Sequence, residues 1–395
     1  MKPPYRVPSM EEIKALPWNG YNAISTFSGC GGSSLGYKMA GFRVLWASEF
    51  IPAAQDTYRA NHAGTILDTR DIRIVQAQEI LDAIQIQPGE LDLFDGSPPC
   101  ASFSTAGKRE AGWGKVKNYS DTKQRTDDLF FEYTRLLAGV QPKVFVAENV
   151  SGLVKGTAKG YFLEILAALK ECGYVVSAKL LDAQWLGVPQ MRQRVIFVGV
   201  RNDLVAQFGV KPVHPKPLAY RYSVRDALPW IGETAPRAYR DRRGAFGNDG
   251  DITDSPAPTV LADSVGTHWV IEPETDIIRY AIGAEWDKIG FGEKSEKYIN
   301  LQKPDIDKPS PTVTCPHNGT FSPTAPSSSA SVVHPTEKRK FSMAELRRIC
   351  AFPDDFILTG TYAQQWERLG RAVPPVMMMH IAKTIQTEVL DKCKA

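Results

Sequence analysis

The first half of the chain predicts an α/β fold with a mostly parallel sheet. Three features carry that expectation. Short apolar runs alternate with helical segments up to about residue 200. The first run feeds a glycine-rich turn, Ser28-Gly29-Cys30-Gly31-Gly32. An acid, Glu49, follows the second run 20 residues after Gly29. Glycines between a strand and a helix let a ligand approach the backbone, and an acid at that distance suits ribose hydroxyls in doubly wound folds.

The elements follow in order. Residues 23–27 read as a buried strand, and 33–40 as a small-residue helix. Residues 43–47 and 91–94 are further strands. Residues 129–138 carry apolar side chains at helical spacing. The β-branched and aromatic stretch 143–147 reads as a strand. An amphipathic helix at 161–169 stops at Gly173, a fitting C-cap. Residues 195–200 form another strand.

After about residue 202 the texture changes to frequent Pro, Gly, Trp and Tyr. Residues 211–245 carry eight basic side chains against three acids, a local charge of +5. Tyr220, Tyr222, Trp230, Tyr239 and Phe246 are interleaved with them. The bland alternative is a solvated, loop-rich insertion. Residues 254–260 weakly echo 308–313, but one pair does not make a repeat protein. Residues 323–331 look like an exposed linker. Ser342-Met343-Ala344-Glu345 is a capping box opening a short helix that ends before Pro353. Residues 375–389 are apolar, Met-rich and helical in spacing, which suits packing as core.

Composition bounds the function. A length of 395 residues suggests two domains, or one with a large insertion. The net charge of +3 excludes a histone-like protein and an acidic disordered tail. It leaves nucleic-acid binding open, because the +5 stretch hides in a near-neutral total. No apolar run is long enough to span a membrane, and the polar, Pro-interrupted start shows no signal pattern. The six cysteines form no C-x-x-C pair and read as free thiols of a reducing compartment. The six histidines show no metal-ligand spacing, so no metal is expected.

Three more constellations bear chemistry. Asp95-Gly96-Ser97-Pro98-Pro99-Cys100 follows a buried strand. Two prolines fix the backbone and a cysteine sits at the strand's carboxyl end, the place for a preorganised nucleophile. An inert buried cysteine is the alternative. Glu148-Asn149-Val150 ends the strand at 143–147, where a helix cap or a salt bridge would also account for it. Arg192 and Arg194 lie two apart in an extended segment, hence on one face. That suits clamping an anion or a base carbonyl, or merely surface charge.

Taken in order, these motifs resemble the DNA (cytosine-5) methyltransferase family. The resemblance rests on the Phe27-to-Gly32 turn, Asp71-Ile72, Pro98-Pro99-Cys100, Leu129-Phe130-Phe131, Glu148-Asn149-Val150 and Gln190-x-Arg192-x-Arg194. It continues through His334-Pro335, Phe352-Pro353-Asp354-Asp355-Phe356 and Gly370-Arg371-Ala372-Val373-Pro374-Pro375.

The resemblance implies a Rossmann-like S-adenosylmethionine-dependent methyltransferase sheet with a smaller, loop- and β-rich target-recognition domain. Residues 1–205 would be catalytic, 206–334 recognition and linker, with 335–395 returning to the first domain. Cys100 would be the nucleophile, with Glu148, Arg192 and Arg194 around the flipped cytosine. Phe27, Gly29, Gly31, Glu49, Phe50, Asp71, Ile72, Pro98, Leu129, Arg371 and Val373 would surround the cofactor. It further implies duplex DNA as partner, a monomer, a restriction-modification role, and the cytoplasm of a bacterial or phage-infected cell. A tRNA cytosine-5 methyltransferase is the runner-up, and a catalytically silent DNA-binding relative a third reading. A nicotinamide dehydrogenase is disfavoured by the glycine spacing.

Three positions depart from the family pattern. Ser25 stands where an acid is usual, Ala101 where Gln is usual, and Arg371 where Asn is usual. A guanidinium beside a sulfonium would repel it. Either Arg371 points away or pairs with a carboxylate, or it accommodates a donor bearing an extra carboxylate on the transferred group.

Overall fold

The computed structural model describes residues 2–99, 128–154, 159–231, 277, 281–298, 301–314 and 332–394, with the backbone of 117–119, 122–124, 239–240 and 246–247. Its centre is a seven-stranded sheet of order β3-β2-β1-β4-β7-β9-β8. The strands are β1 (Asn22–Thr26), β2 (Arg43–Ser48), β3 (Ile66–Asp68), β4 (Leu93–Gly96), β7 (Val144–Val150), β8 (Tyr174–Asp182) and β9 (Gln193–Arg201). β5 (Lys117–Tyr119) and β6 (Thr122–Gln124) form a separate antiparallel hairpin. Strands β1, β2, β3, β4 and β7 are mutually parallel, while β9 runs antiparallel to both β7 and β8. β3 and β8 are the edge strands, and the sequence pattern does not reveal either. β3 has three residues, and β8 is half-exposed and interrupted by Ser177 and Lys179.

Helices cover both faces. α4 (Ala77–Ile84), α5 (Leu129–Val140) and α6 (Lys159–Glu171) lie on one. In α5, Leu129, Phe130, Tyr133, Leu136, Leu137 and Val140 are buried at helical spacing, the stripe that makes the segment a helix. The chain leaves α6 at Gly173, whose φ of 93° suits a glycine cap. On the other face, α2 (Gly32–Met39) packs with α10 (Met343–Ile349), α11 (Tyr362–Arg371) and α12 (Pro375–Ile385). α10 opens with its capping box: Glu345 N–H donates to Ser342 Oγ and Ser342 N–H to Glu345 Oε2. Val224, Ala227, Leu228 and Ile231, around α8 (Val224–Ala227), are buried in this same core. α1 (Met10–Ala15), α3 (Pro52–Asn61), α7 (Asn202–Phe208) and α9 (Ala281–Trp286) complete the described helices. Among the described residues no helix is long and apolar enough to cross a membrane.

The strand order fixes where a ligand can bind. From β1 the chain moves outward to β2 and β3, then returns to β4 on β1's other side. The loops leaving β1 and β4 therefore diverge, and a crevice opens between them at the carboxyl edge. The predicted glycine turn leaves β1 and the predicted cysteine loop leaves β4.

Candidate active site

The turn after β1 is held in an unusual backbone conformation. Phe27, Gly29 and Gly31 have φ of 53°, 55° and 89°. That region is strained for a side chain such as phenylalanine. The glycines differ in their surroundings. A Cβ at Gly31 would lie 2.1 Å from His62 Nε2, and one at Gly32 would lie 2.3 Å from the Val373 carbonyl oxygen. A Cβ at Gly29 would meet nothing within 4 Å. Gly31 and Gly32 thus serve close packing, while Gly29 faces open space that a ligand can use.

Glu49 ties this turn to the end of β2. It accepts from the Gly29 and Ile51 amides, at 2.7 Å each, one on each carboxylate oxygen. Burial pushes its carboxyl upward, against the pull of those amides and of Arg368 and Arg371. Each oxygen keeps a second lone pair for a hydroxyl donor. Phe50, next along, is 38% exposed.

Asp71 and Leu129 come together through Arg73. Its guanidinium lies 3.0 Å from Asp71 Oδ2 and 2.9 Å from Asp128 Oδ1, the residue before α5. Ile72 and Leu129 are both buried there. These residues border the β2–β3 side of the crevice. The glycine turn, Glu49, Phe50 and this apolar wall fit the nucleoside and amino-acid ends of S-adenosylmethionine.

Across the crevice, Glu148 sits near the end of β7, and Arg194 Nε lies 2.7 Å from its Oε1. Antiparallel pairing of β7 with β9 makes this possible, because Val150 faces Arg194 and Glu148 faces Ile196. Asn149 Nδ2 donates to the Pro98 carbonyl at 3.3 Å, joining the same tip to the loop after β4. Cys100 and Ala101 lie outside the described residues.

Arg192 behaves differently from Arg194, although the sequence places both on one face. It is 1% exposed and directs its two terminal nitrogens to the Val313 and Gly370 carbonyls, at 3.1 and 2.9 Å. It precedes β9, so the alternation that would align it with Arg194 is not in force. Arg371 Nη2 lies 2.7 Å from Glu367 Oε1, and Arg368 lies 3.0 Å from Glu367 Oε2. Arg371 therefore pairs with a carboxylate, one of the two expected outcomes, and a carboxylated donor gains no support. Val373 is buried and its carbonyl approaches Gly32.

One buried acid has no role in the sequence reading. Asp95, 1% exposed, accepts from Ser25 Oγ at 2.8 Å and from Tyr37 OH at 3.0 Å. Burial pushes its carboxyl up to about 7; the Ser25 and Tyr37 bonds oppose this and the Glu148 charge adds to it. An aspartate in an otherwise apolar strand is the only signal in the sequence. Among the described residues no cluster of His, Cys, Asp and Glu is placed to hold a metal ion.

A doubly wound sheet with a glycine turn after β1, a buried acid after β2 and a Glu–Arg pair between β7 and β9 is the frame of an enzyme that uses a nucleoside cofactor. The chain belongs to the C-5 cytosine-specific DNA methylase family, whose model matches residues 21–387. It is a DNA cytosine-5 methyltransferase dependent on S-adenosylmethionine. It is similar to the Type II methyltransferase M.NgoPII of Neisseria gonorrhoeae, 28% identical over 95% of this chain and 98% of the relative. It is also similar to M.Sau96I of Staphylococcus aureus, 30% identical over 92% of this chain and 75% of the relative. The fold matches a candidate DNA modification methyltransferase encoded in an E. coli prophage, with a TM-score of 0.67 and 20% identity, covering 94% of this chain and all of that one. It also matches the S. pombe Dnmt2 methyltransferase, with a TM-score of 0.56 and 17% identity, covering 93% and 98%.

Proposed function

We propose that the chain methylates C5 of a cytosine flipped out of a specific duplex sequence, through a covalent bond from Cys100 to C6. The carrying observation is the Glu148–Arg194 pair, joined through Asn149 to the loop that leads into Cys100. Cytosine C5 is a poor nucleophile, and addition of the Cys100 thiolate at C6 makes it enamine-like. Glu148 is suited to hold N3 and the exocyclic amine. Arg194 keeps that carboxylate oriented and presents donors toward the base carbonyl. Arg192 supports both by fixing the segment that leads into β9. S-adenosylmethionine supplies the methyl group as a sulfonium substituent. Loss of the C5 proton then releases Cys100 and restores the ring. A base inside the stack cannot be reached by these groups, so it must leave the helix.

Residues 206–334 are the proposed recognition region. Phosphate contacts from the +5 stretch would give affinity and a few side chains would read base edges. The names of the relatives support a restriction-modification setting. Duplex DNA containing 5-fluorocytosine tests the mechanism, because the fluorine cannot leave as a proton does. A stable protein–DNA adduct is expected with the unaltered chain and none with Cys100→Ala. No adduct with the unaltered chain would overturn the covalent route. Bisulfite sequencing of plasmid from a host expressing the chain reads the target, and methyl transfer to tRNA but not DNA would reverse the substrate assignment.

A further inference from the structure

We propose that Asp95 is a positioning residue for the cofactor, a carboxylate supplied from β4 to serve the turn that leaves β1. Residue 25 is where the family resemblance leads one to expect an acid, and this chain has Ser25. In the parallel pairing of β1 with β4, Ser25 and Asp95 are register partners. The side chain that departs from the pattern therefore touches a buried aspartate: Ser25 Oγ donates to Asp95 Oδ2 at 2.8 Å. The carboxylate of Asp95 thus lies one strand over from position 25, on its register partner.

The connections of Asp95 lead toward the cofactor turn. Ser28, inside the turn, donates to the Ser25 carbonyl at 2.9 Å and lies 3.2 Å from Ser25 Oγ. Gly31 N–H donates to the Ser28 carbonyl at 2.8 Å. From the other side Tyr37 OH, on the helix that the turn opens, donates to Asp95 Oδ1. One carboxylate thus accepts from the strand before the turn and from the helix after it. Both partners are hydroxyls donating to it, the arrangement an acceptor-only carboxylate requires. Three residues later Pro98 accepts from Asn149, so the same strand end also leads into the nucleophile loop. A negative group sealed from water at the strand ends acts on a bound sulfonium with little screening.

The inference rests on the cofactor site described above, and the test separates the two. Binding of S-adenosylmethionine and S-adenosylhomocysteine is measured by calorimetry at pH 8 without DNA, so no turnover is involved. The two ligands differ by the sulfonium charge. If the unaltered chain binds neither, the cofactor site itself is misassigned. Asp95→Asn keeps the shape and removes the charge; its oxygen still accepts from one hydroxyl, and the other must turn to accept from the amide nitrogen. It should weaken S-adenosylmethionine about tenfold or more and S-adenosylhomocysteine about threefold or less. An unchanged ratio between the ligands, whatever happens to the melting temperature, overturns the proposal. The exchange Ser25→Asp with Asp95→Ser returns the carboxylate to β1. It should recover affinity to within about threefold, while Asp95→Ser alone stays weak and Ser25→Asp alone, with two facing carboxylates, loses stability. If Asp95→Asn does not fold, the exchanged pair decides by itself: a folded pair that binds S-adenosylmethionine supports the proposal, and a pair no better than Asp95→Ser overturns it.

Discussion

Replacing Arg192 by methionine separates a structural guanidinium from the proposed catalytic one of Arg194. Methionine fills much of the volume but carries no donor. Arg192 donates to Val313 and Gly370, carbonyls that lie 121 and 178 residues away in the chain. The first lies in the segment 301–314 and the second near the end of α11. A hydrogen bond from a charged group contributes about 1.5–3 kcal/mol, so losing both predicts about 3–6 kcal/mol. The neighbouring contacts belong to the same joint: Met191 N–H to the Ser310 carbonyl, Ser310 N–H to the Pro189 carbonyl, and Trp366 Nε1 to the Thr314 carbonyl. Urea unfolding should show the loss, and amide exchange should localise it. Amides in 189–192 and 308–314 should exchange at least about a hundredfold faster, at roughly 1.4 kcal/mol per factor of ten. Arg192→Lys, with one terminal nitrogen, should fall between. Arg194→Met should lose turnover while leaving exchange at 308–314 unaltered. Unchanged protection of 308–314 in Arg192→Met would refute the reasoning.

Glu49→Gln replaces an oxygen with an amide that cannot accept, leaving either the Gly29 or the Ile51 amide without its partner; calorimetry should show S-adenosylhomocysteine binding weakened about tenfold, with about 1–2 kcal/mol lost in urea. Asp95 is raised to about 7 when folded, so the folded state holds its proton more tightly than the unfolded chain. Its contribution is complete below the unfolded value near 4 and is lost as the pH rises through about 7. Between pH 5 and 8 the unaltered chain should lose about 2–3 kcal/mol relative to Asp95→Asn, at roughly 1.4 kcal/mol per unit; parallel pH profiles would contradict this. Glu345 is buried and meets the Arg339 guanidinium with both oxygens at 2.8 Å, so Glu345→Gln should cost about 3–5 kcal/mol in urea.

The sequence reveals most of the sheet because buried strands and their turns carry local signals. The strands at β1, β2, β4, β7 and β9 were expected within a few residues of where they lie, and Gly173 and Ser342 cap helices as their types predict. β8 and β3 were missed because an edge strand need not be apolar on both faces. The site is legible in its backbone: the glycine turn and Glu49 meet as the spacing suggests. The partners of its long side chains are not legible. Nothing local says that Arg192 turns inward to Gly370 while Arg194 reaches Glu148, since both destinations depend on contacts far along the chain. Asp95 is hidden for the same reason, because its meaning depends on the register with β1.

The helices α11 and α12 reach the glycine turn after β1 through a face of α2 that carries glycines. Gly32 and Gly36 are one turn apart on α2, and so lie on one face. A Cβ at position 36 would sit 2.5 Å from Met378 Cβ and 2.6 Å from the Pro375 carbonyl oxygen. These contacts let α12 approach α2 at backbone distance and carry Val373 to Gly32. Gly36→Ala therefore sets two effects against each other. Helix propensity alone favours alanine by about 1 kcal/mol. Overpacking opposes it by about 1–3 kcal/mol, and here the obstacles are a helix backbone and the first carbon of a buried side chain, neither of which can rotate away. Packing should win, with a net loss of about 1–2 kcal/mol in urea and weaker S-adenosylhomocysteine binding, because displacing α12 also displaces Val373. A stabilised Gly36→Ala would show that propensity governs this position and that the close approach of α12 is not what carries residues 370–375 to the site.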